Sequence, residues 1–263
     1  MKLSQNDIWN GFVKLIKETT PIREVDDSID WQAERERLSN HNVVYPNYYK
    51  YINNHGVKGG YRSSDAVLMY DPFSQYVLSP EKWIREELIA TIDYKPQNIL
   101  DLGCGTGSTT VMLKQAFHDA KITGLDVSTY MLSIANYKAK KENLDIQWVH
   151  GLAETTEFDD AEFDLVTASL LFHEIPTSVS QSILKECYRL LTPGGKVFIL
   201  DVNQKTFDYM PIYESWMIQF YEEPYLRDYG RSSTDAWMGT AGFNKVSTDH
   251  VWWIYQVTRG IKN

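Results

Sequence analysis

Two carboxylates and three closely spaced glycines carry the strongest chemical signal in the chain. Asp101 is followed by Gly103, Gly105 and Gly107, within Asp101-Leu102-Gly103-Cys104-Gly105-Thr106-Gly107. Asp126 stands about 20 residues beyond the glycines, at the end of the next apolar run. Glycine lets the backbone approach a ligand closely, and the helix that follows offers free N–H groups in its first turn. A carboxylate at that separation is placed to accept from a pair of ribose hydroxyls. The chemistry is recognition of a nucleotide or a nucleoside-like cofactor. The plainer alternative is a bare strand–helix–strand unit with two capping aspartates.

The spacing separates two cofactor classes. Dinucleotide-binding turns run Gly-x-Gly-x-x-Gly and seat a pyrophosphate. Here the turn runs Gly-x-Gly-x-Gly, with Asp101 two positions before its first glycine. A carboxylate there repels a pyrophosphate and attracts an ammonium group. The pattern favours S-adenosylmethionine, which carries an amino acid moiety and a sulfonium. A nicotinamide-dependent oxidoreductase is the alternative in another enzyme class, and a non-catalytic cofactor-binding module is the alternative without chemistry.

The turn resembles the first motif of the class I S-adenosylmethionine-dependent methyltransferases. Leu125-Asp126-Val127-Ser128 resembles the second, with Met131-Leu132 opening the next helix. Phe163-Asp164-Leu165-Val166 resembles the fourth-strand motif, and Leu190-Leu191-Thr192-Pro193-Gly194-Gly195-Lys196 the turn before the fifth strand. The likeness runs in order over residues 95–202 or so. It implies cofactor contacts from Asp101, Gly103, Cys104, Gly105, Gly107, Asp126, Val127, Met131 and Ser169. Many members carry Gly-Asp-Ala after the third strand and use the aspartate on the adenine amino group. This chain has Gly151-Leu152-Ala153-Glu154, so the resemblance assigns adenine to backbone groups at Leu152 and Ala153, with Glu154 as the alternative contact.

In an open α/β sheet the ligand lies beyond the C-terminal strand ends. The fourth strand delivers Ser169-Leu170-Leu171-Phe172-His173-Glu174 to that rim. His173 is the candidate catalytic residue: an imidazole with a pKa of about 6.5 takes a proton from a hydroxyl, an amine or an acidic carbon. The alternative is that His173 packs on the cofactor and orients it, since positioning and desolvation carry much of an in-line methyl transfer. His55 and Glu174 are the weaker candidates for the same work. No Asn-Pro-Pro-Tyr-type tetrad follows the fourth strand, which disfavours an amide or exocyclic base nitrogen as acceptor.

These residues need a scaffold. Apolar runs near 98–102, 121–126, 146–150, 164–169 and 196–201 alternate with helical patterns, which predicts a parallel, doubly wound sheet. Two β-rich runs, near 243–249 and 251–258, close the chain, after a helix capped by Ser232-Ser233 and ended at Gly242. The expected class is α/β: a Rossmann-like, doubly wound, seven-stranded sheet with an antiparallel last strand and an N-terminal helical and aromatic cap. Residues 1–80 are the expected cap, 81–263 the core, and 203–232 a cap insertion before the last strand pair. Residues 7–18 read as an amphipathic helix and 29–40 as a charged one. Ser79-Pro80-Glu81 starts another, running to about residue 92.

The tract Tyr45-Pro46-Asn47-Tyr48-Tyr49-Lys50-Tyr51 and residues 206–231 concentrate aromatic side chains. Tyr49, His55, Tyr61, Arg62, His173, Glu174 and Tyr225 are the candidate substrate-lining residues, and Arg62 is a candidate partner for the cofactor carboxylate. An aromatic cap suits a flat or apolar small molecule, or a cationic amine.

The whole chain agrees with an enzyme acting on a small-molecule acceptor. Its 263 residues are 43% hydrophobic and carry a net charge of −9, without the basic stripe that nucleic-acid binding needs. No stretch approaches about 18 apolar residues, and the N-terminus has no apolar signal core. Cys104 and Cys187 form neither a zinc spacing nor a redox pair. The expectation is a cytoplasmic protein with no metal, no nucleic acid and no membrane partner.

Overall fold

The computed structural model describes residues 20–50, 60–73, 81–210, 218 and 223–263. The expected helix over 7–18 lies outside them, as do residues 51–59, among them His55.

The apolar runs form a seven-stranded sheet of order β3-β2-β1-β4-β5-β7-β6. Its strands are β1 (Asn98–Leu102), β2 (Lys121–Asp126), β3 (Gln147–His150), β4 (Phe163–Ser169), β5 (Leu191–Val202), β6 (Asn244–Val251) and β7 (Tyr255–Ile261). Neighbours among β1–β5 pair in parallel. Ile99, Leu100, Leu102, Leu165, Val166, Ala168 and Leu200 are fully buried, as strands covered on both faces require. The strand order reverses between β1 and β4, which opens a crevice at the ends of those two strands.

The last strand is antiparallel, as expected, but it is not the edge. β7 runs antiparallel between β5 and β6, so β6 takes the edge and points the same way as β5. Burial explains the choice. Val257, Thr258 and Gly260 of β7 are buried, while Asn244, Lys245, Asp249 and His250 of β6 are exposed. The expected strand over 251–258 is also corrected. Trp252 and Trp253 form the tip of the hairpin, with Trp252 at φ 54° and Trp253 86% exposed. A short apolar run does not by itself distinguish a strand from a surface patch, and here Trp252 packs on Trp83, 5.7 Å between ring centroids.

Helices cover both faces. Ahead of the sheet come α1 (Thr20–Ser28), α2 (Trp31–Leu38), α3 (Asn47–Lys50), α4 (Ser64–Phe73) and α5 (Glu81–Ala90). Between strands lie α6 (Ser108–Ala116), α7 (Thr129–Lys141) and α8 (Thr177–Leu190), and after β5 come α9 (Thr206–Tyr209), α10 (Leu226–Gly230) and α11 (Thr234–Ala241). α7 starts where Ser128 Oγ accepts the Met131 N–H at 3.3 Å. α11 starts on Ser233 and stops at Gly242, φ 106°. α8 buries the stripe Ile183, Leu184, Cys187 and Leu190 against the sheet. A second, smaller core joins Ile22, Ile29, Tyr61, Val67, Leu68 and Met69 to Met131 and Ile134 of α7. Among the described residues no helix is long and apolar enough to cross a membrane.

Candidate active site

The chain turns from β1 into α6 through Gly103 and Gly105, both left-handed at φ 61° and 55°. A side chain at Gly103 would place its Cβ 2.8 Å from Leu171, whereas one at Gly105 would meet nothing within 4 Å. Gly103 therefore buys close packing of the post-β4 turn, and Gly105 leaves open space for a ligand. Gly107 is the N-cap of α6 and brings no side chain to its first N–H groups. Gly107 packs under Ala135 and Trp148 rather than lining the cleft.

Asp126, at the end of β2, braces this turn. One carboxylate oxygen accepts the Gly105 N–H and the other the Ser128 N–H, both at 2.8 Å. Each oxygen keeps further acceptor capacity. Burial pushes the Asp126 pKa up to about 6, and the like charges of Glu174 and Asp101 add to that. Asp101 sits deeper. Its two oxygens accept from Thr110 and Thr167 hydroxyls at 2.6 and 2.7 Å, and burial raises its pKa to about 6.

A cleft of about 980 Å³ opens over these residues. Of the expected cofactor contacts, Asp101, Gly103, Cys104, Gly105, Asp126, Val127, Met131, Leu152, Ala153 and Ser169 line it. The Ser169 hydroxyl is buried without a hydrogen-bond partner. Of the expected substrate-lining residues, Tyr49, Tyr61 and Glu174 line the cleft, while Arg62, Tyr225 and His173 do not. The helices ahead of the sheet meet the strand ends here through specific bonds. Ser128 Oγ donates to the Tyr61 carbonyl at 2.6 Å, Tyr48 OH to Glu154 at 2.6 Å, and Tyr61 OH to Glu174 at 3.3 Å. His150, at the end of β3, accepts the Asn40 N–H at Nδ1 and faces the Val127 carbonyl with Nε2, each at 3.0 Å.

The structure places His173 away from the cleft that it was expected to face. Its ring lies behind the cleft, 5% exposed, with Nδ1 2.6 Å from Asp201. Burial opposes a charge on the ring, but the Asp201 carboxylate overrides it and raises the imidazole pKa well above the ordinary value. A ring outside the cleft that Asp201 draws toward its charged form is poorly placed to act as a general base. Asp201 also accepts the Phe172 N–H at 2.7 Å. The pair clamps a 3₁₀ turn, Phe172–Glu174, that presents Glu174 to the cleft.

Residues 99–195 match a family model described as a methyltransferase domain. Over that stretch the chain is similar to the class I methyltransferases. A demethylmenaquinone methyltransferase of Thermus thermophilus is 33% identical over 120 residues, 46% of this chain and 54% of that protein. One of Staphylococcus epidermidis is 34% identical over 164 residues, 61% of this chain and 66% of that protein. The chain thus spans between about half and two thirds of the curated relatives it matches. Human N-acetylserotonin methyltransferase, solved in complex with S-adenosylmethionine, shares the fold: TM-score 0.61 at 17% identity, over 77% of this chain and 57% of that one.

The cleft is also lined by residues that the sequence did not single out. Tyr70 of α4, Arg85 of α5, and Thr106, Ser108 and Thr109 around the glycine turn line the cleft. Lys138 of α7 links two of them to the cap, donating to Thr106 and Ser108 at 3.0 Å and pairing with Asp71 of α4 at 2.6 Å. Helical spacing places Arg85 one turn before Leu88 and Ile89, a weak signal that its face of α5 turns inward. Among the described residues no group of three or more His, Cys, Asp or Glu could hold a metal ion.

Proposed function

We propose that the chain is an S-adenosylmethionine-dependent methyltransferase that acts on a flat, largely apolar small molecule and releases S-adenosylhomocysteine. The observation that carries this reading is the open space at Gly105 above the Asp126 carboxylate. The residues fit the cofactor in three ways. Gly105 leaves room for it, Asp126 keeps acceptor capacity for ribose hydroxyls, and Ser169 offers a buried hydroxyl with no partner. When bound, the cofactor supplies a methyl group on a positively charged sulfur.

The chain's own residues do the rest. Asp126 holds the ribose hydroxyls. Backbone groups of Leu152 and Ala153 take the adenine, with Leu152 standing where a side-chain acceptor would. Tyr48, Tyr49, Tyr61 and Tyr70 exclude water and give the acceptor ring faces to pack on. Glu174, on the clamped turn, takes the acceptor's proton where one must leave. On this reading residues 1–80 are a cap on a core of 81–263, with 203–232 a cap insertion before the last strand pair.

The curated relatives are named for demethylmenaquinone, which makes a quinol the first acceptor to test. The purified protein is incubated with methyl-labelled S-adenosylmethionine and either a demethylmenaquinol analogue, simple phenols or amines. Expected is labelled product with matching release of S-adenosylhomocysteine. Failure of calorimetry to detect either adenosyl ligand overturns the cofactor assignment. Tight cofactor binding with no methylation of any acceptor favours the non-catalytic reading.

A further inference from the structure

We propose that Lys138 is a positioning residue for the cleft: its ammonium ties α4 to the glycine turn and so sets how fast a bound adenosyl ligand leaves. The assignment rests on the S-adenosylmethionine reading above. Lys138 lies one helical turn beyond Ile134 on α7, and Ile134 shares a core with Val67, Leu68 and Met69 of α4. That face of α7 brings the lysine stem to the end of α4. There the ammonium meets three acceptors. It pairs with Asp71 at 2.6 Å and donates to Thr106 Oγ1 and Ser108 Oγ at 3.0 Å. Three partners use all three N–H groups. The Thr106 hydroxyl donates in turn to the other Asp71 oxygen at 2.6 Å. The bonds close into a ring, from Lys138 through Asp71 and Thr106 back to Lys138, across α7, α4 and the turn.

The ring bears on both walls of the cleft. Thr106 and Ser108 line it from the glycine turn, and Tyr70, the neighbour of Asp71, lines it from α4. Tyr61 lines the same wall and meets the Tyr70 ring edge-on, 5.4 Å between centroids. The side chains of Lys138 and Asp71 are 25% and 26% exposed. A pair shielded to this extent is stronger than one in open solvent, and removing one partner strands no charge deep in the core. The Ser128–Tyr61 bond holds one end of this segment and Lys138 holds the other. An adenosyl ligand between the turn and the tyrosines leaves only when α4 lifts, and lifting α4 breaks the ring.

The test is a chase on the full chain. Labelled S-adenosylhomocysteine is bound, excess unlabelled ligand is added, and its release rate and association rate are measured. Lys138→Met and Asp71→Asn are each expected to speed release about tenfold, the scale of one partly shielded ion pair, with association changed by less than about twofold. The double variant should release no faster than either single one, because both remove the same ring. Lys138→Arg should return most of the wild-type rate. A lowered melting temperature with wild-type release rates overturns the proposal and makes the ring a purely structural tie. So does a double variant whose effect is the product of the two single ones. Should Lys138→Met not fold, Asp71→Asn, which keeps the side-chain shape, decides alone by the same release criterion. If the wild type does not bind S-adenosylhomocysteine, the cofactor reading itself fails.

Discussion

The Asp126 carboxylate takes two backbone N–H groups and has room for a ligand's hydroxyls, which ties the shape of the glycine turn to ligand binding. Burial raises its pKa to about 6. The charged form is the better acceptor, so adenosyl-ligand affinity is expected to be full above that pH and to fall as pH drops from 7 to 5. Asp101 titrates in the same range, but Thr110 and Thr167 already occupy its oxygens, so Asp126 carries most of the slope. Asp126→Asn should bind about tenfold more weakly and show a flatter pH dependence, at the cost of roughly one charge-assisted hydrogen bond. Calorimetry across this pH range checks it. An Asn variant with wild-type affinity and slope would show that Asp126 only shapes the turn. The sequence marked this residue because strand, glycine turn and ribose acid are local features at fixed spacing.

At the scale of elements, the post-β4 turn was only half legible. His173 and Glu174 are neighbours, and either one has the chemistry for a rim position. Which of them faces the cleft depends on the 3₁₀ turn and on Asp201, which arrives from β5. No local pattern reports that pairing. The clamp predicts that His173→Gln loosens the turn and lowers kcat/KM by roughly tenfold, while the shape of the pH–rate profile between about pH 6 and 8 is kept. Loss of an acid limb in that variant would instead make His173 the proton acceptor. The hairpin tip failed for a related reason: Trp252 and Trp253 look like strand residues, yet they follow a residue that ends β6, and Trp252 packs on Trp83 of α5. Helix ends fared better, because Ser233 and Gly242 act within their own turn.

For the whole molecule, the alternation of apolar runs and helical patterns carried the parallel sheet, and the polar character of β6 sends it to the edge once both final strands are weighed for burial. The relation of cap to core was not legible, because it depends on α7 serving two interiors. Leu132 is fully buried with Leu38, Cys104 and Trp148, while Met131 and Ile134 complete the smaller core. The Ser128 hydroxyl holds the Tyr61 carbonyl, and the Ser128 N–H holds Asp126. One residue therefore stands between the Asp126 carboxylate and the Tyr61 backbone. The consequence is thermodynamic linkage: a ligand that tightens Asp126 makes every opening of the cap costlier by the same free energy. Amide hydrogen exchange in residues 60–73 should slow on addition of S-adenosylhomocysteine, and binding that leaves those rates untouched would show the two halves to be independent. Where the linkage holds, a loaded cleft is also a shut one, and the nucleoside end must enter before the cap settles and leave only after it lifts.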